Sequence, residues 1–384
     1  MRKLNQDQIL NICYGATFLG SGGGGSFKTS RNLVSKLRTK KELMGVLEHR
    51  KSLSNKSVRN SFSVTVKKVE EVNDNDGLTA MVAFIGSPKA ASTLEGIDSE
   101  IAAFDKLNEQ LPSGQHIGHV IPVEVGGLNS IIPILVAAEK GIPIIDADGA
   151  GRAVPSLTMT TFAAAEVSPN PAVLAKSSDF CVSAFFNTAT DVEAFARPVL
   201  EVFGEEAGLA MWVMDKVTLA RAVPIRNTLT LAEDVGAILT SSSGQPPEAV
   251  INALLTKLTE FGLTADIVFS GIVQTPETKT QGGFDFSTVT LRDKNNDTVW
   301  VYVQNENMIV WNPQTTVSMI TAPDSICYLY VDGEGNVLPF SNADIEPMGI
   351  VGRQAYLIGI TARSELQTGT IFESFKEALV ALRL

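Results

Sequence analysis

Carboxylates stand where two apolar runs give way to glycine: Glu124 after "VIPV", and Asp146 and Asp148 in "IIDADGAGR". A carboxylate that close to a buried strand must be paired or functional, because an isolated charge away from water is costly. Asp146 and Asp148 lie two residues apart at a strand end, so their side chains share one face about 7 Å apart. Paired carboxylates in a dry setting repel and one pKa rises, which lets an acid and a base coexist near neutral pH. The structural alternative is that one of them caps the next segment or pairs with Arg152. A third strand end, Gly86-Ser87-Pro88, joins Glu124-Val125-Gly126-Gly127-Leu128-Asn129 and the stretch from Asp146 to Arg152 if all three strands are parallel. Ligands of open parallel sheets bind outside that edge.

A second feature is "GATFLGSGGGGS" at residues 15–26. Glycine loses more backbone entropy on folding than other residues, so a cluster marks slack or a place where backbone passes close to something. Ordered-looking flanks favour a binding loop. Phosphate loops are disfavoured: no Gly-Lys-Ser/Thr follows, and the preceding segment reads as helix where both nucleotide motifs need a strand. What survives is a loop whose amides hold a carboxylate, a carbonyl oxygen or a phosphate. The Gly126-Gly127 turn opens a helix, whose free amides and dipole also suit an anion.

The elements that must position these residues follow from periodicity. Residues 6–19 carry apolar positions at helical spacing, and Asn32 to Leu43 reads as a second helix. "SFSVTVKKV" (61–69) alternates like a half-buried strand, whereas "GLTAMVAFIG" (77–86) is continuously apolar, as for a strand covered on both faces. Residues 119–147 parse as strand (119–125), helix (about 128–139) and strand (142–147), a βαβ crossover between parallel strands. Helices dominate after residue 168, and strands separated by hairpin turns dominate from about 266. The expected architecture is an N-terminal parallel-sheet α/β domain (1–168), then a mixed α+β domain (169–384) ending in a β-rich barrel or sandwich.

Composition narrows the chemistry. The chain has 384 residues, 44% hydrophobic and 19% charged, enough for a sizeable core. A formal net charge of −11 argues against nucleic acid or anionic membrane as partner. Three scattered cysteines, Cys13, Cys181 and Cys327, form neither a disulfide frame nor a zinc motif. The start lacks a signal-peptide core, and the longest apolar run is interrupted by Glu139-Lys140. A soluble cytoplasmic protein is expected. Of three histidines, His116 and His119 have ligand spacing, but "PSGQHIGH" reads as a loop with solvent-facing imidazoles. Acid–base work therefore falls to carboxylates, and any metal would need mostly oxygen ligands.

Together, "GATFLGSGGGGS", residues 123–162 and the later Gly282-Gly283-Phe284, Gln304-Asn305-Glu306-Asn307 and Pro323-Asp324 resemble the S-methyl-thiohydantoin desulfurase family. That family was long described as hydantoinase/oxoprolinase-like. The resemblance runs through nearly the whole chain in order. It implies a two-domain cytoplasmic protein that removes sulfur hydrolytically from a thiohydantoin-type ring, often accompanied by hydantoin or oxoproline hydrolases. One departure stands out. Where the family has Gly-Ala-Pro-Thr and then a Glu-Lys or Glu-Arg pair, this chain has Gly86-Ser87-Pro88-Lys89 followed by "AASTLEGIDSE", with Glu95 as the acidic partner and no basic one.

Such chemistry needs an activated water, donors for developing charge and a proton for the leaving thiol. Asp148 or Glu124 is expected as general base and the other as acid, with Asp146 beside them. Gly22, Gly23, Gly24, Gly25, Gly126, Gly127 and Asn129 would hold the ring. Arg152 would hold an acidic substituent through paired hydrogen bonds. Asn305 and Glu306 either reach in from the second domain or form a hairpin turn. Thr160 and Thr161 read as packing or a helix cap. Two alternatives stay open: a cyclic amidase using a divalent cation on Asp146, Asp148 and Glu124, and a non-catalytic ligand-binding subunit of a hydantoinase. A small cyclic amide is the expected ligand, and a homo-oligomer the expected assembly.

Overall fold

The computed structural model describes residues 1–36, 63–281 and 284–382. His49, the second half of the expected second helix, Gly282 and Gly283 fall outside the described residues.

The first sheet contains β1 (Arg2–Leu4), β2 (Val64–Lys67), β3 (Leu78–Gly86), β4 (Ile117–Ile121), β5 (Ile144–Ile145), β6 (Ala172–Ser177), β7 (Phe180–Ala184) and β8 (Glu206–Met214). Their order is β1-β2-β5-β4-β3-β8-β6-β7. Parallel pairing links β2, β5, β4 and β3, and β1 and β8-β6-β7 are joined to this centre by antiparallel pairs. The first domain's sheet is thus mixed around a parallel core. The division expected at residue 168 falls inside it, because β6 to β8 follow that residue and complete the sheet.

The continuous apolar run of β3 is explained by cover on both faces. Ala80, Val82 and Phe84 join one core cluster, and Met81 and Ala83 the opposite one. On the first face pack α1 (Gln6–Leu19), α4 (Asp98–Glu109), α5 (Gly127–Lys140) and α9 (Thr228–Thr240). On the second lie α7 (Ala189–Phe203) and α8 (Lys216–Ala222). Residues 27–36 form α2, and α3 (Pro88–Thr93), α6 (Thr161–Ala164), α10 (Pro247–Glu260) and α11 (Gly369–Ala381) complete the helices used below. Helices α1 and α9 pack backbone to backbone: a Cβ on Gly15 would fall 1.8 Å from the Ala232 carbonyl oxygen.

The second sheet is antiparallel and has nine strands. Its members are β9 (Ala265–Val273), β10 (Glu277–Gln281), β11 (Phe284–Arg292), β12 (Thr298–Gln304), β13 (Glu306–Asn312), β14 (Val317–Thr321), β15 (Ser325–Val331), β16 (Val337–Pro339) and β17 (Gln354–Ile360). Side chains from β9, β11 to β13, β15 and β17 meet in one apolar cluster. No helix among the described residues is long and apolar enough to cross a membrane.

Candidate active site

The glycine run leaves α1 and passes between the two sheets. Towards the second sheet, the Asn307 amide donates to the Ser21 carbonyl and the Asn342 amide to that of Gly22, each at 2.8 Å. Towards the first, the Leu128 and Asn129 amides donate to the Gly24 carbonyl at 2.8 and 3.2 Å. There is no space for side chains. A Cβ on Gly22 would lie 2.4 Å from Asn307 Nδ2, and one on Gly23 2.1 Å from Glu306 Oε1. Gly22 also has φ +79°, a left-handed conformation that glycine adopts without strain. Asp344 then fixes the start of α2, accepting from the Phe27 amide at 2.8 Å and the Ser26 hydroxyl at 2.8 Å. The glycines are therefore a close-approach loop, stitched on both sides.

Beside this loop is a cavity of about 120 Å³ at the C-terminal ends of β3 and β4. Its apolar wall includes Phe84, Ile85, Val123, Leu157 and Leu209. Its polar wall includes Gly22 to Gly25, Glu124, Asn129, Asn305 and Glu306. Two sheets thus contribute one carboxylate each, and both are only 5% exposed.

Glu124 is held at both oxygens. Oε1 accepts from Asn129 Nδ2 at 2.8 Å, and Oε2 accepts from the Val154 amide at 2.7 Å. Asn129 is itself fixed, since its Oδ1 accepts from the Phe84 amide at the end of β3 at 3.0 Å. Burial pushes the Glu124 carboxyl up to about 7, the two donors pull it down, and the Asp148 charge adds to the rise. Glu306 is raised well above the carboxylate range, by burial first and by the Glu124 charge second; Arg152 and the Gly24 amide oppose this. Its Oε2 has no hydrogen-bond partner among the described residues. Two donors favour an ionised Glu124, while an unpartnered buried oxygen favours a protonated Glu306. One residue is poised to take a proton and the other to give one.

Asn305 reconciles its two expected roles. It is the turn between β12 and β13, with φ +58°, and Gln304 pairs with Glu306 across it. Its Oδ1 accepts from the Asp285 amide at 2.9 Å, which fixes the turn beside the cavity.

Other expected site residues lie elsewhere. Asp146 does not line the cavity: Oδ1 accepts from the Thr230 amide at 3.0 Å in the first turn of α9, and Oδ2 from the Thr230 hydroxyl. Asp148, fully buried behind the cavity wall, turns Oδ1 onto the Ala150 and Gly151 amides at 2.7 and 2.6 Å. Two residues apart, they serve different elements, because the chain leaves the strand after Ile145 and the shared face is lost. Gly126 and Gly127 pack against the glycine loop and Thr17 instead of the cavity. Of the amides at the start of α5, those of Leu128 and Asn129 are occupied by the Gly24 carbonyl, and that of Gly126 donates to the Ser130 hydroxyl at 3.2 Å. Arg152 is 1% exposed and bonded to backbone carbonyls, away from the cavity lining.

Asp146, Asp148 and Glu124 do not form a ligand set, and no cluster of three His, Cys, Asp or Glu side chains is placed to hold a metal among the described residues. His119 is not solvent-facing. It lies within β4, 1% exposed and 3.3 Å from Lys67 Nζ, and burial and that charge push it down to about 4. Thr160 caps α6 through the Ala163 amide.

Sequence reasoning missed Ser156, Glu193, Arg197 and Ser341, which also line the cavity. Glu193 and Arg197 pair at 2.7 Å one turn apart on α7. That spacing is the only signal available, and it is shared by any solvated helix face. Arg197 also lies over the Phe284 ring, 3.9 Å from its centroid.

A two-sheet α/β protein with a carboxylate pair at the parallel-strand edge defines the class. The chain belongs to the S-Me-THD-like family: the model of its N-terminal domain matches residues 44–183, and that of its C-terminal domain residues 187–370. A protein from Chromobacterium violaceum, known from a structural-genomics crystal structure, is similar throughout. It shares 31% identity at a TM-score of 0.80, covering 100% of this chain and 97% of that one. No curated protein matches the chain.

Proposed function

We propose that the protein hydrolyses a small thiohydantoin-type ring, replacing a sulfur substituent by oxygen, with Glu124 and Glu306 as its acid–base pair. The observation that carries this is the meeting of those two buried carboxylates, one from each sheet, at a cavity sized for one ring. An engineered cavity of about 150 Å³ accommodates benzene, so about 120 Å³ suits a five-membered ring with a short substituent.

The proton balance closes with two groups. Glu124 takes a proton from water as its oxygen bonds to the sulfur-bearing ring carbon, and Glu306 protonates the adjacent ring nitrogen. Glu306 then takes the hydroxyl proton as the carbonyl forms. Glu124 returns its proton to sulfur as the C–S bond breaks and the thiol leaves. Each carboxyl ends in its starting state. Glycine-loop backbone and Asn305 surround the ring, and Arg197 is the arginine that faces the cavity, where an acidic substituent was expected to meet Arg152.

Incubation with an S-methylated thiohydantoin in ¹⁸O-water tests this reading. The expected products are methanethiol and a hydantoin carrying one ¹⁸O. A ring-opened product that keeps its sulfur would instead indicate amidase chemistry, and no product from folded protein would count against catalysis.

A further inference from the structure

Arg152 is a buried cation whose side-chain hydrogen bonds all go to backbone carbonyls among the described residues. Nε donates to Ala153 O at 2.9 Å, Nη1 to Pro323 O and Asp324 O at 2.8 Å each, and Nη2 to Asn307 O at 3.2 Å. The guanidinium also lies 5.3 Å from the centroid of the Phe375 ring on α11. These partners come from its own loop, β13, the turn before β15 and α11, so the charge cannot swing toward a ligand. A structural clamp could be made with neutral donors. Burying a full charge against neutral carbonyls needs a compensating anion nearby. Its backbone partners adjoin both glutamates: Asn307 follows Glu306 in β13, and Ala153 precedes Val154, whose amide holds Glu124 Oε2 at 2.7 Å. The carboxylates that support its charge are Glu306 first, then Glu124 and Asp324, whereas Cys327 on β15 is a buried, neutral thiol. Burial lowers it only to about 10, so it stays charged at neutral pH.

We propose that Arg152 is a positioning residue that sets the charge of the Glu124–Glu306 pair from behind the cavity, without touching the ligand. This rests on the reading of those two glutamates as the acid–base pair. The groups facing the pair are Arg152 and Asp148 from the 146–152 loop and the Glu193–Arg197 ion pair on α7 across the cavity, while Asp324, beyond β14, faces Arg152. Arg152 offsets one negative charge, so one of the two carboxyls ionises and the other keeps its proton. Without the cation, the first ionisation moves to higher pH, since an adjacent positive charge lowers a carboxyl pKa by roughly 1–3 units.

The test is to follow the glutamate carboxyl signals by ¹³C NMR across pH in the full chain, comparing the parent with Arg152→Met and Arg152→Lys. Arg152→Met should move the first midpoint of the pair up by roughly 1 unit or more. Arg152→Lys should lose thermal stability yet keep the midpoint near the parent's. If Arg152→Met does not fold, Arg152→Gln, which retains an amide donor, is measured in its place with the same expectation. An unchanged midpoint in the folded neutral variant overturns the proposal, leaving Arg152 a structural clamp. The titration reads ionisation and not turnover, so it stands even if the thiohydantoin reading fails. Where turnover is measurable, the rising limb of the pH–rate profile should move with the midpoint.

Discussion

Asn129 donates its side-chain amide to Glu124 Oε1 at 2.8 Å while its own oxygen accepts from the Phe84 amide. The end of β3 thereby orients a carboxylate that follows β4. A hydrogen bond to a charged group contributes about 1.5–3 kcal/mol. Asn129→Ala should therefore lower kcat roughly 10- to 100-fold at neutral pH and shift the rising limb upward. Initial rates at several pH values check this; a uniform loss at every pH would point to misfolding instead.

Rate should follow a bell in pH. Glu124 must be ionised, and burial pushes it up to about 7, so the rising limb falls near that pH. Glu306 must keep its proton, and burial and the neighbouring Glu124 charge raise its carboxyl well above the carboxylate range, so the descending limb reports its ionisation. A profile already flat from pH 5 to 8 would show that neither group titrates as described.

Buried carboxyls also tie stability to pH. Glu100 is fully buried on α4, with Oε1 unpartnered among the described residues, and burial raises it to about 7. A carboxyl raised in the folded state contributes stability that is full below the unfolded value and is lost as pH rises through the folded one. The parent should lose stability between about pH 4.5 and 7, with Glu100 contributing on the order of 2–4 kcal/mol. Glu100→Gln, which resembles the protonated carboxyl, should flatten that slope. Chemical denaturation at pH 5 and pH 8 checks it, and equal slopes for parent and variant would contradict it.

How much of this was legible in the sequence depended on whether one local signal was enough. The βαβ unit was readable because β4 and α5 carry their own patterns: "HVIPV" is wholly buried, and the helix begins and ends at glycines. The glycine run was readable as a constraint, but not its cause, because the groups crowding it, Asn307 and Glu306, come from the far sheet. Asp148 drew attention through its local context, yet its backbone turns it onto its own loop. Glu306 looked like a turn residue because nothing nearby in sequence discloses a partner in the first sheet. Proximity set by long-range packing, not residue type, separates the expected pair from the observed one.

Gly23 offers a clean perturbation. A methyl there would sit 2.1 Å from Glu306 Oε1, so Gly23→Ala must displace the carboxylate or the loop. The expected outcome is at least a 100-fold loss of kcat/KM, of the order seen when a general acid is misplaced, with the fold retained by circular dichroism. Near-parental activity would show that Glu306 does not act where it now lies.

The two roles assigned to acidic residues can also be separated by stability. Asp146 caps the first turn of α9 through Thr230, so Asp146→Ala should lower stability by about 1–2 kcal/mol. Its kcat should stay near the parental value. A large loss of turnover at unchanged stability would return Asp146 to the site.

The most direct measurement is thiol release from an S-methylated thiohydantoin by the parent, Glu124→Gln, Glu306→Gln and Asp148→Asn. The expected result is release by the parent, a loss of roughly 10²-fold or more in each glutamine variant, and Asp148→Asn within about tenfold of the parent. Parental release by Glu306→Gln, or its collapse in Asp148→Asn alone, would contradict the pairing of Glu124 with Glu306.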